Sequence, residues 1–98
     1  MMIYKERTGS ALNVTLEGRL DTSTAPALEY TLKESLDDVS ELTLDFAGLE
    51  YISSAGLRVL LSAQKTMNKQ GSMKLKNVNE IIMEILEVTG FSDILTVE

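Results

Sequence analysis

Three features of this 98-residue sequence predict an α/β fold in a single domain spanning residues 1–98, with a mixed, mostly parallel sheet and helices mainly on one face. Short segments of alternating apolar and polar residues take turns with longer segments whose apolar residues recur every three or four positions. Glycines and turn-forming residues separate them, so the connections are too short for linkers. The strands alternate in polarity, whereas strands covered on both faces read as continuous apolar runs; one face of the sheet is therefore expected to be wet.

The elements follow in order. Ile3 and the mixed stretch from Lys5 to Thr8 suggest a short first strand, joined through Gly9-Ser10 as a hairpin to a second. In that second strand Leu12, Val14 and Leu16 alternate with Asn13, Thr15 and Glu17 until Gly18 breaks the pattern. Thr22 to Thr24 suit a helix N-cap, and Pro26 is tolerated in a first turn, where its missing N–H would have no partner. Ala25, Leu28, Leu32, Leu36 and Val39 then mark an amphipathic helix. Leu42, Leu44 and Phe46 alternate with Thr43 and Asp45 in a strand ending near Gly48, which completes a right-handed parallel crossover.

A second helix is expected from about Ser54 to Gln70, with Leu57, Leu60, Leu61 and Met67 inward and Gly71 as its stop. Met73 and Leu75 alternate with Ser72, Lys74 and Lys76 as another strand. A third helix starts at Asn79, carries Ile81, Ile82, Ile85 and Leu86 inward and stops at Gly90, with Phe91 folding back and Ile94 and Leu95 forming a short terminal strand. Met67, Met73 and Met83 fit apolar stripes and read as core fillers.

Composition excludes several functions. With fifteen acidic and nine basic residues the net charge is −6, so a nucleic-acid backbone is repelled and no counterion release drives binding. Cysteine and histidine are both absent, which removes disulfides, thiolate nucleophiles, imidazole bases and the commonest zinc ligands. Ser53 and Ser54 therefore have no histidine to activate them, and Lys65 and Lys69 fall toward the far end of the second helix, well over a turn from Ser54, so neither an enzyme nor a cofactor or metal site is expected. No apolar run approaches a membrane span or a signal peptide, which makes the cytoplasm the expected compartment, without membrane insertion.

The informative segment is Leu49-Glu50-Tyr51-Ile52-Ser53-Ser54-Ala55-Gly56-Leu57-Arg58, which carries the chain from a strand end into a helix N-terminus. Unpaired N–H groups and partial positive charge there stabilise an anion, so a phosphate on Ser54 would be well seated, with Arg58 one turn on to pair with it. Equally, Ser53 or Ser54 could simply cap the helix, with Ala55 and Gly56 kept small for close packing. Asp21 is open to the same two readings, as a contact residue or as an acceptor for N–H groups in the turn before the first helix.

The whole chain resembles the STAS domain (sulphate transporter and anti-sigma factor antagonist) in its stand-alone bacterial form. The resemblance rests on Gly18-Arg19-Leu20-Asp21 with Thr22 to Ala25, on Leu44-Asp45-Phe46, on Tyr51 to Leu57, and on Thr89-Gly90-Phe91. It implies an anti-sigma factor antagonist that binds an anti-sigma factor with serine kinase activity, is released from it by phosphorylation of Ser54, and is reset by a serine phosphatase. Ser53 stands where the family usually has aspartate, which leaves it as a rival acceptor, and Ala55 stands where many members carry a second hydroxyl. The implied partner surface comprises Asp21, Thr22, Ser23, Thr24, Ser53, Ser54, Ala55, Gly56 and Arg58. The alternative within the same fold is a non-phosphorylated accessory subunit of a bacterial transporter.

Overall fold

The computed structural model describes all 98 residues, Met1–Glu98. The elements are β1 (Met2–Thr8), β2 (Ala11–Leu20), α1 (Ala25–Ser35), β3 (Glu41–Ile52), α2 (Ser54–Gln70), β4 (Ser72–Lys76) and α3 (Glu80–Val88), followed by a 3-10 turn at Phe91–Asp93. One sheet takes the strands in the order β1-β2-β3-β4, with β1 antiparallel to β2 and the other two pairs parallel. The expected mixed, mostly parallel sheet and the hairpin through Gly9-Ser10 are both present. No helix is long and apolar enough to cross a membrane.

Alternation places the core on one face. Leu12, Val14 and Leu16 of β2, Leu42, Leu44 and Phe46 of β3, and Met73 and Leu75 of β4 are buried, while Asn13, Thr15, Thr43 and Asp45 between them stay partly exposed. Leu28 and Leu32 of α1, Leu57, Leu60 and Met67 of α2, and Ile82 and Leu86 of α3 join the same apolar cluster, so the helices cover one face of the sheet. Met83 packs partly buried against it. Each of the fully buried leucines contributes about 1.5–3 kcal/mol relative to an exposed one.

The strand ends differ from expectation in a way that shapes the site. Neither Gly18 nor Gly48 ends its strand; β2 continues to Leu20 and β3 to Ile52. The pairing shifts register between Thr15 and Glu17 and again between Gly18 and Arg19, and Gly18 absorbs the irregularity at φ 102°, a conformation that favours glycine. Across from it, a Cβ on Gly48 would lie 2.7 Å from Glu17 Cγ. Pairing then resumes, so Leu20 and Ile52 end their parallel strands opposite each other.

Other departures are local. The first helix ends at Ser35, with Leu36 as its C-cap, so Val39 is buried from the following loop. Ile81 is 61% exposed, because Ile82 and Leu86 point α3 at the core and Ile81 lies a helical step outside that face. Ile94 and Leu95 form no strand; instead Val97 bridges Leu75, with Leu75 N donating to Thr96 O at 2.8 Å and Glu98 N to Leu75 O at 2.9 Å. Those bonds cover the outer edge of β4. Asp45 is structural, its Oδ1 accepting from Asn77 Nδ2 at 2.9 Å and Ala47 N at 3.0 Å, which holds the carboxyl below the usual carboxylate range.

Candidate functional site

Because β2 and β3 are parallel and end level, the loop after β2 and the start of α2 emerge side by side at the carboxyl edge of the sheet. Ser53 N donates to Leu20 O at 2.9 Å, the last bond joining the two. The sequence-predicted residues Asp21 to Thr24, Ser53 to Ala55 and Arg58 are thereby brought to one edge, whereas Gly56, also expected there, is buried beneath it.

Asp21 organises the first half. Its Oδ1 accepts from Ser23 Oγ at 2.8 Å, Ser23 N at 3.0 Å and Thr24 N at 3.2 Å, an Asx-type turn that occupies backbone donors ahead of α1. Thr24 holds the N-cap position without a capping bond, since its hydroxyl donates to Arg19 O at 2.8 Å and accepts from Asp21 N at 2.8 Å. The cap expected from Thr22 to Thr24 is thus supplied one step earlier, by Asp21, whose backbone carbonyl also accepts from Ala25 N at 2.8 Å. Thr22 and Ser23 are exposed.

The Ser23 hydroxyl lowers the Asp21 pKa most; desolvation opposes it, and the backbone N–H groups of Ser23 and Thr24 and the Thr24 hydroxyl lower it further. A depressed folded pKa means the unfolded chain binds the proton first as pH falls. The stability Asp21 contributes is therefore complete above its unfolded value of about 3.9 and lost as pH drops through the lower folded value. We expect Asp21→Asn to be less stable than the wild type near neutrality, with the difference shrinking below about pH 4. Urea denaturation of both proteins across the acid range measures it, and a difference that is constant with pH would contradict this role.

The second half turns on which serine faces out. Ser53 occupies the N-cap of α2 with φ −102° and ψ 177°, yet its Oγ is buried and makes no hydrogen bond. Ser54, the first helical residue, is exposed and makes none either, so neither serine caps the helix with its side chain. The buried Ser53 hydroxyl is shielded from an enzyme that would have to reach it, whereas the Ser54 hydroxyl is open. Ala55 is half-buried beside it.

Gly56 lets this turn sit down on the strand ends. A Cβ there would lie 2.7 Å from Leu20 Cγ and 2.8 Å from Ile52 Cγ1, and both of those side chains are fully buried. We expect Gly56→Ala to cost about 2 kcal/mol by overpacking, read as a lower urea midpoint with an unchanged slope. A gain in stability, from alanine's higher helix propensity, would show that the turn has room to lift.

Between α1 and α2 runs an open groove of about 180 Å³, with Thr22, Pro26 and Glu29 on one side and Ala55, Arg58 and Val59 on the other. Arg58 is exposed and forms no ion pair, leaving its guanidinium free one turn beyond Ser54. Arg19 and Tyr51, which sequence reasoning assigned no role, adjoin this surface. The Arg19 guanidinium stacks 4.6 Å from the Tyr51 ring centroid and approaches Asp21 at 3.9 Å. Their pairing follows from the register that sets Arg19 opposite Tyr51, information carried by strand pairing and not by either segment alone. No group of side chains is arranged to hold a metal ion.

Comparison with known proteins gives the family and the fold. The family model described as "Mlab, STAS domain" matches residues 3–96. The chain is 30% identical to the anti-sigma-B factor antagonist of Bacillus subtilis, over 88% of this chain and 80% of that protein. It is 31% identical to the anti-sigma-B factor antagonist of Listeria monocytogenes, over 96% and 84%. Among solved structures, an anti-sigma factor antagonist from Mycobacterium paratuberculosis superposes with a TM-score of 0.88 at 22% identity, covering 98% of this chain and 83% of that one. The phosphorylated form of the Bacillus cell fate determinant SpoIIAA gives 0.77 at 16% identity, covering 99% and 91%. On these sequence matches, and with the fold of the solved antagonists, the chain belongs to the STAS domain, anti-sigma factor antagonist family.

Proposed function

We propose that this protein binds an anti-sigma factor with serine kinase activity through the carboxyl-edge surface, and that phosphorylation of Ser54 releases it. A serine phosphatase then restores binding, and the whole cycle runs in the cytoplasm. As a family member the chain is a non-enzymatic regulator, so the switch lies in its affinity for a partner. The observation that carries the reading is the contrast between the two serines: Ser54 is exposed at the first position of α2, while the Ser53 Oγ is buried. A kinase active site needs the hydroxyl in the open, and the new phosphate gains from the helix N-terminus and from Arg58.

Asp21, Thr22, Ser23 and Thr24 complete the contact surface with Ser53, Ser54, Ala55 and Arg58, while Gly56, expected among them, is buried and supports the surface from below. Asp21 shapes the loop and Gly56 sets the depth of the helix; Thr22, Ser23, Ser54 and Arg58 are the exposed members. A relative of the same fold is known in a phosphorylated form, which supports a fold that tolerates the modification.

The test is to incubate the protein and its Ser54→Ala form with the cognate kinase and ATP and to record intact masses. One phosphate on the wild type and none on the variant is the expected result. Stoichiometric labelling of Ser54→Ala would move the acceptor elsewhere. No labelling by a kinase active on another substrate, with partner binding indifferent to ATP, would favour a non-phosphorylated accessory subunit of a transporter.

A further inference from the structure

All nine basic residues precede Asn77, whereas five of the fifteen acidic residues follow it, so the last segment holds five of the six net negative charges. Three of them, Glu80, Glu84 and Glu87, run along α3 at helical spacing, exposed and without an ion-pair partner. Beside that acidic stripe lies an apolar one. Ile81 is 61% and Val88 81% exposed, and with half-buried Ile85 they recur at i, i+4 and i+7. A shallow groove of about 250 Å³ runs between Ile81, Glu84, Ile85, Val88 and Thr89.

We propose that this face of α3 docks a basic amphipathic helix of a protein partner. The Ile81, Ile85 and Val88 stripe would receive the apolar face of the incoming helix, and its lysines or arginines would meet Glu80, Glu84 and Glu87. The partner's sign follows from the charge distribution. A second copy of this chain would set glutamates against glutamates, and an anionic bilayer would be repelled in the same way. Glu87 adds a further reason: it sits in the last turn of α3, where no basic residue balances the helix dipole, so an incoming cation relieves an unfavourable charge already in place. This surface is separate from the groove between Thr22 and Arg58, which no residue of α3 lines.

The probe is a synthetic amphipathic helix with a leucine stripe flanked by lysines, titrated into the isotope-labelled protein and followed by amide chemical shifts. Saturable shifts confined to residues 80–89 are expected, with affinity at least roughly tenfold above that of the same peptide carrying glutamates for lysines. The variant Ile81→Ser/Val88→Ser, altered only at exposed positions, is expected to keep its thermal midpoint and lose the response, whereas Ser54→Asp retains it. Equal affinity for both peptides, shifts centred on the Ser54 surface, or no saturable response would overturn the proposal. So would self-association in sedimentation that Ile81→Ser/Val88→Ser abolishes, which would make a second copy the occupant.

Discussion

Replacing Ser54 by aspartate is expected to weaken the complex with the anti-sigma factor about 100-fold, or about 2.7 kcal/mol, while Ser54→Ala binds within a factor of about three of the wild type. The Ser54 side chain is exposed and makes no hydrogen bond, so its removal leaves the folded protein nearly unchanged. A carboxylate at the first position of α2 interacts favourably with the helix dipole, so Ser54→Asp is expected to be as stable as the wild type or slightly more so. Loss of binding cannot then be assigned to unfolding. The expected loss arises at the interface, where the added anion must shed water and meets any partner carboxylate with like charge. A phosphate carries more charge than a carboxylate and is expected to weaken binding further. Calorimetry at two salt concentrations measures the effect, and the penalty should shrink at higher salt if like charge dominates. Binding of Ser54→Asp at wild-type affinity would place Ser54 outside the interface.

Much of this surface was legible in the sequence, for identifiable reasons. The order of strands and helices follows from periodicity, and the parallel crossovers follow from that order; that Asp21 and Ser54 share one surface comes from the resemblance to the STAS domain, and the level ends of β2 and β3 give its physical reason. What escaped depends on pairing across the chain. Gly18 and Gly48 look like strand ends in isolation but lie within a locally shifted register, which a single segment cannot reveal. The roles of Thr24 and Ser53 also escaped, because propensity for the N-cap position does not say where the hydroxyl goes. Thr24 turns back to Arg19 O, and the Ser53 Oγ is buried at the seam where α2 meets the strand ends. Apolar residues occupy six of the nine positions of α3, so periodicity alone does not separate Ile81 from the inward face, and the sheet covers only the width taken by Ile82 and Leu86. The outward remainder is the surface proposed to dock a partner helix.

At the opposite edge of the sheet, Gly71→Ala is expected to cost more than about 3 kcal/mol, a fall of about 12 °C or more in thermal midpoint for a domain of this size. The requirement is steric, set by what a Cβ at Gly71 would meet. A Cβ at Gly71 would lie 2.8 Å from Ser40 Cα and 2.6 Å from its carbonyl carbon, and nearer still to its oxygen. Side chains can swing away from such a clash, but Ser40 meets it with its backbone, and that backbone is pinned. Ser40 N donates to Ser10 O at 2.8 Å, and Ser40 O accepts from Ser72 N at 2.9 Å. Gln70 Nε2 donates to Leu36 O and Val39 O, each at 2.7 Å, fastening the end of α2 to the same loop. Moving Ser40 to make room would break the bonds that start β3 and β4 together. Because these contacts lie a strand length from the Ser54 surface, the molecules of Gly71→Ala that remain folded are expected to be phosphorylated at Ser54 and to bind the partner as the wild type does. Denaturant titration measures the first claim and calorimetry, corrected for the folded fraction, the second. A loss below about 1 kcal/mol would mean that the loop carrying Ser40 yields and that the bonds between Ser10, Ser40 and Ser72 contribute less than typical backbone pairs.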